Sequence, residues 1–134
     1  MNIGPMEDRL AIRELIETFS AGVMRIDAEY WGELWAPDGA WKLPSLPEDC
    51  VGKTNIKEMF REKLAYVDSI SMIAFPADLV VDGDTAEGKA YCRELIFTKE
   101  GAQKILFGCF HDQYVRLNGR WLFRRREYEI LSVH

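Results

Sequence analysis

The chain has 134 residues, 48% of them hydrophobic and 29% charged, with a formal net charge of −5. This is the composition of one globular domain spanning residues 1–134, long enough to bury a core and still enclose a ligand cavity. The acidic balance argues against nucleic acid and anionic membranes, which need a basic patch, and no apolar run reaches the ~18 residues of a membrane span.

The opening segment "MNIGPMEDRL" lacks a basic stretch followed by an apolar one, so no signal peptide and a cytoplasmic location are expected. The three cysteines, Cys50, Cys92 and Cys109, show no CxxC spacing, so neither a disulfide framework nor a metal site is expected. Residues 7–24 carry Ile12, Leu15, Ile16, Phe19 and Val23 at helical spacing, with Glu7 and Asp8 suited to the positive helix end. A short helix over 28–35 puts Trp31, Leu34 and Trp35 on one side, and "APDG" reads as a turn. A strand at 40–43, a loop "PSLPEDCVG" and a third helix over 54–67 follow, with Thr54 as its N-cap and Ile56, Met59, Phe60 and Leu64 on one face. Strands are predicted at 71–81, 85–98, 104–117 and 120–132, separated by "DGD", "KEGAQ" and "NG". About three helices followed by consecutive strands make an α+β domain: a curved antiparallel sheet with the helices against its concave side.

The stretches "EDRLAIRELIETFSAGVMRID", "LWAPDGAW", "GKTNIKEMF", "VVDGDTA" and "DQYVRLNGRWLFRRR" occur in an order that covers nearly the whole chain. Together they resemble the SnoaL-like group of the nuclear transport factor two-like superfamily. The resemblance implies a cone-shaped, cystatin-like α+β barrel with a deep pocket, and a homodimer or homotrimer formed through the outer sheet face. Tyr91, Leu95, Phe97 and Phe123 are the residues expected to need cover there. The group includes scytalone dehydratase-like, bile-acid dehydratase-like, lindane dehydrochlorinase-like and ketosteroid isomerase-like enzymes, and most of its enzymes work without metal or organic cofactor. It also includes noncatalytic binding proteins.

Asp27, directly after the first helix, matches the aspartate that lyase-type relatives place in the pocket. Its usual histidine partner would fall at or near Ile73, but "SISMIAFPADL" contains no histidine. Arg126, five residues after Trp121, matches an arginine that lines the pocket in dehydrochlorinase-like members. A two-residue turn at Asn118-Gly119 sets 117 against 120, which brings His111 opposite Arg126 as a substitute acid or base. A bulge in that hairpin would instead send His111 outward. Along "GKAYCRELIF", Ala90, Cys92, Glu94 and Ile96 share a face; if it is the inner one, Glu94 lies in an apolar wall that favours its protonated form.

Tyr30, Trp31, Trp41, Ile73, Phe110 and Tyr128 are the candidate substrate-binding residues. The expected activity is a cofactor-free lyase or isomerase, dehydratase favoured, acting on a small hydrophobic ring compound. Asp27 would be the base, His111 or Glu94 the acid, and Arg126 or Tyr128 the group that holds developing negative charge. A noncatalytic small-ligand or assembly module of the same fold, and an epoxide-hydrolase-like ring-opening enzyme, are the alternatives.

Overall fold

A computed structural model describes residues 1–134. The apolar stripe read from the sequence winds Met6–Arg25 into α1, burying Ile12, Ile16 and Phe19. The helix stops where Ile26 takes a left-handed conformation (φ 51°), with its N–H donating to the Val23 carbonyl at 3.0 Å. The chain turns at once into α2, Ala28–Gly32. The two helices meet closely: a Cβ on Gly22 would lie 2.9 Å from the Trp31 Cβ.

The segment expected to turn at "APDG" is instead part of β1, Trp35–Lys42. Trp35 pairs with Phe123, and a register shift then separates that pair from Ala40 and Arg125. β2 is the two-residue strand Cys50–Val51, and α3 runs Lys53–Leu64. Gly52 (φ 94°), not Thr54, occupies the N-cap of α3, with no side-chain cap bond. Four long strands complete the fold: β3 Val67–Asp82, β4 Thr85–Thr98, β5 Gln103–Leu117 and β6 Arg120–Val133. Asn118 and Gly119 both have positive φ (52° and 76°), the conformation a tight hairpin turn requires.

The six strands form one sheet in the order β2-β1-β6-β5-β4-β3. The sheet is mixed, because β1 runs parallel to β6 while every other pair is antiparallel. The parallel pair corrects the all-antiparallel expectation: β1 comes from the helical half of the chain and lies against β6 without a hairpin to reverse its direction. Bulges in the β3–β4 and β5–β6 ladders interrupt the pairing and bend the long strands. α1 packs on β3 and β6, and α2 on α3. Between helices and sheet lies the core, in which Ile12, Ile16, Trp31, Trp35, Ile56 and Phe123 have no solvent contact. Phe123, expected on the outer face, is thus inside. No helix is long and apolar enough to cross a membrane.

Candidate active site in the cavity between helices and sheet

The helices do not fill the hollow of the sheet. A cavity of about 580 Å³ remains, and 15 of its 20 lining residues are hydrophobic, so it holds few partners for water. Phe19, Trp31, Phe60 and Leu64 come from the helices; Trp41, Met72, Ile96, Phe110 and Tyr128 come from the sheet. Exposed Tyr66 and Lys104, with Lys63, mark its mouth.

Glu94 is the only acid in this wall. The two-residue period of β4 puts it there, between buried Cys92 and buried Ile96. Burial raises its carboxyl above the usual carboxylate range, and the Tyr128 hydroxyl and the Lys104 ammonium pull it back by less. Tyr128 reaches the same wall from β6. Its ring lies 4.6 Å from that of Phe110, and its hydroxyl accepts a weak contact from the Cys92 thiol at 3.7 Å. Room for the ring exists because residue 108 is glycine; a Cβ there would collide with the Tyr128 phenol. Burial, and then the negative charge of Glu94, push the Tyr128 hydroxyl far up, so it is a neutral donor at any working pH. The Cys92 thiol is pushed up to about 12, by burial first and Glu94 next. It stays protonated and is no nucleophile.

The hairpin between β5 and β6 carries the bulge that redirects the other candidates. Tyr114 pairs with Phe123, but Gln113 pairs with Arg125, so Arg124 is an extra residue. Beyond it Asp112, not His111, faces Arg126. His111 points outward, and its Nε2 lies 2.8 Å from Glu129 Oε1. Arg126 is fully buried and grips Asp112 through Nε (2.7 Å) and Nη2 (2.9 Å). The Tyr114 hydroxyl donates to the same carboxylate at 2.6 Å. The guanidinium is caged by Phe110, Phe123 and Phe19, whose ring centres lie 3.7, 4.3 and 4.4 Å away, and its Nη1 has no partner. Phe19 and Phe110 line the cavity and Arg126 does not, so the ion pair stands one layer behind the wall.

Asp27 also lies outside the wall. It is exposed and caps α2, its Oδ1 accepting the Tyr30 N–H at 3.1 Å. A short polar side chain at the start of a helix satisfies an amide that has no partner within the helix, and this fixes its direction. Tyr30 lies under the Arg25 guanidinium, 4.5 Å from its ring centre, and is not part of the lining. Ile73 is 59% exposed on the outer face, while its neighbour Met72 takes the inward place. Trp31, Trp41, Phe110, Tyr128 and Glu94 lie together in the lining; Asp27, Tyr30, Ile73, His111 and Arg126 do not. Sequence reasoning missed Asp112, since nothing in "RRR" marks which arginine is the bulge. The lysines at the mouth were missed because each is an ordinary surface residue until α3 and β5 come to line one cavity.

The SnoaL-like domain family matches residues 5–127, and the chain belongs to that family. None of the curated proteins matches it. Among solved structures it is similar to a hexachlorocyclohexane dehydrochlorinase (LinA, type 2), with 17% identity and a TM-score of 0.87 over 96% of this chain and 88% of that one. A ketosteroid isomerase-like protein from Erwinia carotovora atroseptica SCRI1043 is 18% identical, with a TM-score of 0.85 over 96% and 99% of the two chains. A protein from Novosphingobium aromaticivorans DSM 12444, provisionally described as a scytalone dehydratase, is 19% identical, with a TM-score of 0.83 over 96% and 87%. At these identities the likeness is one of fold, a curved sheet packed on helices in an α+β cone.

Proposed function

We propose that the chain is an acid–base enzyme, a lyase or isomerase, acting on a small hydrophobic ring compound inside this cavity. Glu94 takes and returns the proton. The observation that carries the reading is a single carboxyl, raised by burial, in an apolar wall beside a phenol that stays neutral. Such a carboxyl is a stronger base when ionised than one in water, and its acid form survives closer to neutral pH. The cavity volume falls within the roughly 300–1,000 Å³ of small-molecule sites.

The ionised Glu94 would remove a proton from carbon next to a carbonyl, and Tyr128 would donate to the oxygen that gains charge. The proton held on Glu94 then has two destinations. Returned to another carbon of the ring system, it completes a proton shift. Given to a departing hydroxyl, it releases water and completes a dehydration. One carboxyl serves both routes. The proton shift asks less of it, because the proton moves only between carbons of the ring system and no leaving group has to lie within reach of the carboxyl.

Turnover of a panel of ring ketones and alcohols tests the reading. Glu94→Gln should lower kcat by about 10²–10⁴-fold, and Tyr128→Phe should lower it with a smaller effect on KM. Wild-type turnover by Glu94→Gln on a true substrate would refute the role of Glu94. A second reading, a binding module without catalysis, draws on one observation: no histidine and no second carboxyl line the wall. It takes over if ring compounds raise Tm while none is turned over.

A further inference from the structure

Cys109, His111 and Glu129 meet on the outer face of the sheet, and none of them lines the cavity. Cys109 and His111 are alternate residues of β5, so their side chains leave the strand on the same side. Glu129 stands directly across the ladder from Cys109. The sulfur, an imidazole nitrogen and a carboxylate oxygen lie within 4.8 Å of one another. We propose that these three side chains form a zinc site, with the fourth position left to water.

The donor set selects the metal. A thiolate and an imidazole suit zinc and disfavour magnesium and calcium, which take oxygen ligands. Around a tetrahedral zinc, donors about 2.0–2.3 Å from the ion stand roughly 3.3–3.6 Å apart. The His111–Glu129 pair, now 2.8 Å apart, has to open by about half an ångström, and the sulfur has to close by about an ångström or a little more. Rotation of His111 and Glu129 can supply both changes, since their side chains are 44% and 55% exposed. The neighbouring Glu127 is held by Arg125 at 3.0 Å, which leaves Glu129 as the carboxylate ligand. On binding, the Cys109 thiol gives its proton to solvent. The His111 ring keeps one on Nδ1, so that Nε2 presents its lone pair. Thiolate and carboxylate then balance the two charges of the ion.

The 134-residue chain, stripped with a chelator, is titrated with zinc against a chromogenic chelator and separately with cobalt(II). The expected result is one ion per chain, with sulfur-to-cobalt charge-transfer absorption that disappears in Cys109→Ser. His111→Gln and Glu129→Gln should each weaken zinc at least about tenfold, and Cys50→Ser should leave it unchanged. Cys109 is buried, so its variant is checked for native circular dichroism. The two variants at exposed positions decide the matter if it unfolds. The proposal is overturned if zinc is not held against the chelator, if His111→Gln and Glu129→Gln bind it as tightly as wild type, or if Cys50→Ser abolishes binding.

Discussion

Removing the Asp112 carboxylate should be one of the costlier single polar substitutions in this chain. Asp112 and Arg126 have fully buried side chains and share two short hydrogen bonds, of 2.7 and 2.9 Å. Asp112→Leu leaves a guanidinium that water cannot reach and strands the Tyr114 hydroxyl, which donates to the same carboxylate. Breaking a buried pair from one side costs about 3–5 kcal/mol. The three rings contact the guanidinium with or without the carboxylate, so they largely cancel from the difference and hold the loss only to the lower part of that range. The net expectation is about 3–4 kcal/mol, a large share of the roughly 5–15 kcal/mol that holds a domain together. With a urea m-value of about 1.5 kcal/mol/M, the unfolding midpoint should fall by roughly 2–2.7 M. The double variant Asp112→Leu/Arg126→Met should recover most of that, because it removes both charges. In chelator-treated protein, His111→Leu should change stability by no more than about 0.5 kcal/mol, as at an ordinary surface position. Urea unfolding followed by tryptophan fluorescence reads all three. A loss below about 1 kcal/mol for Asp112→Leu, or a larger loss for His111→Leu, would refute the bulged register and the argument built on it.

Two further outcomes follow from the site. Folding raises the Glu94 carboxyl above its ordinary value of 4.5. The native state therefore holds that proton more tightly than the unfolded chain, and stability falls as pH climbs from that value through the folded one. Glu94→Gln should flatten this slope when urea midpoints are compared from pH 4 upward; an unchanged slope would show that the carboxyl is solvated. Asp27→Asn should keep both turnover and fold, since asparagine caps a helix as well as aspartate does. A collapse of kcat in that variant would return Asp27 to the catalytic centre.

Residues whose neighbours along the chain decide their conformation could be read from the sequence. α1 follows from its apolar spacing, and the β5–β6 turn from Asn118-Gly119. The inward direction of Glu94 follows from strict alternation in β4, whose ladder with β5 is uninterrupted around it. What the sequence did not determine is whatever depends on register between distant strands. One extra residue, Arg124, shifts the β5–β6 pairing by one from Gln113 to Gly108, where a second shift follows. It sends His111 outward, buries Asp112 against Arg126, and brings Cys109, His111 and Glu129 together on the far side. Three consecutive arginines offer no local preference for which of them bulges. The choice falls to the packing of Phe19, Phe110 and Phe123 around one guanidinium, and that packing exists only once the sheet has closed over the helices.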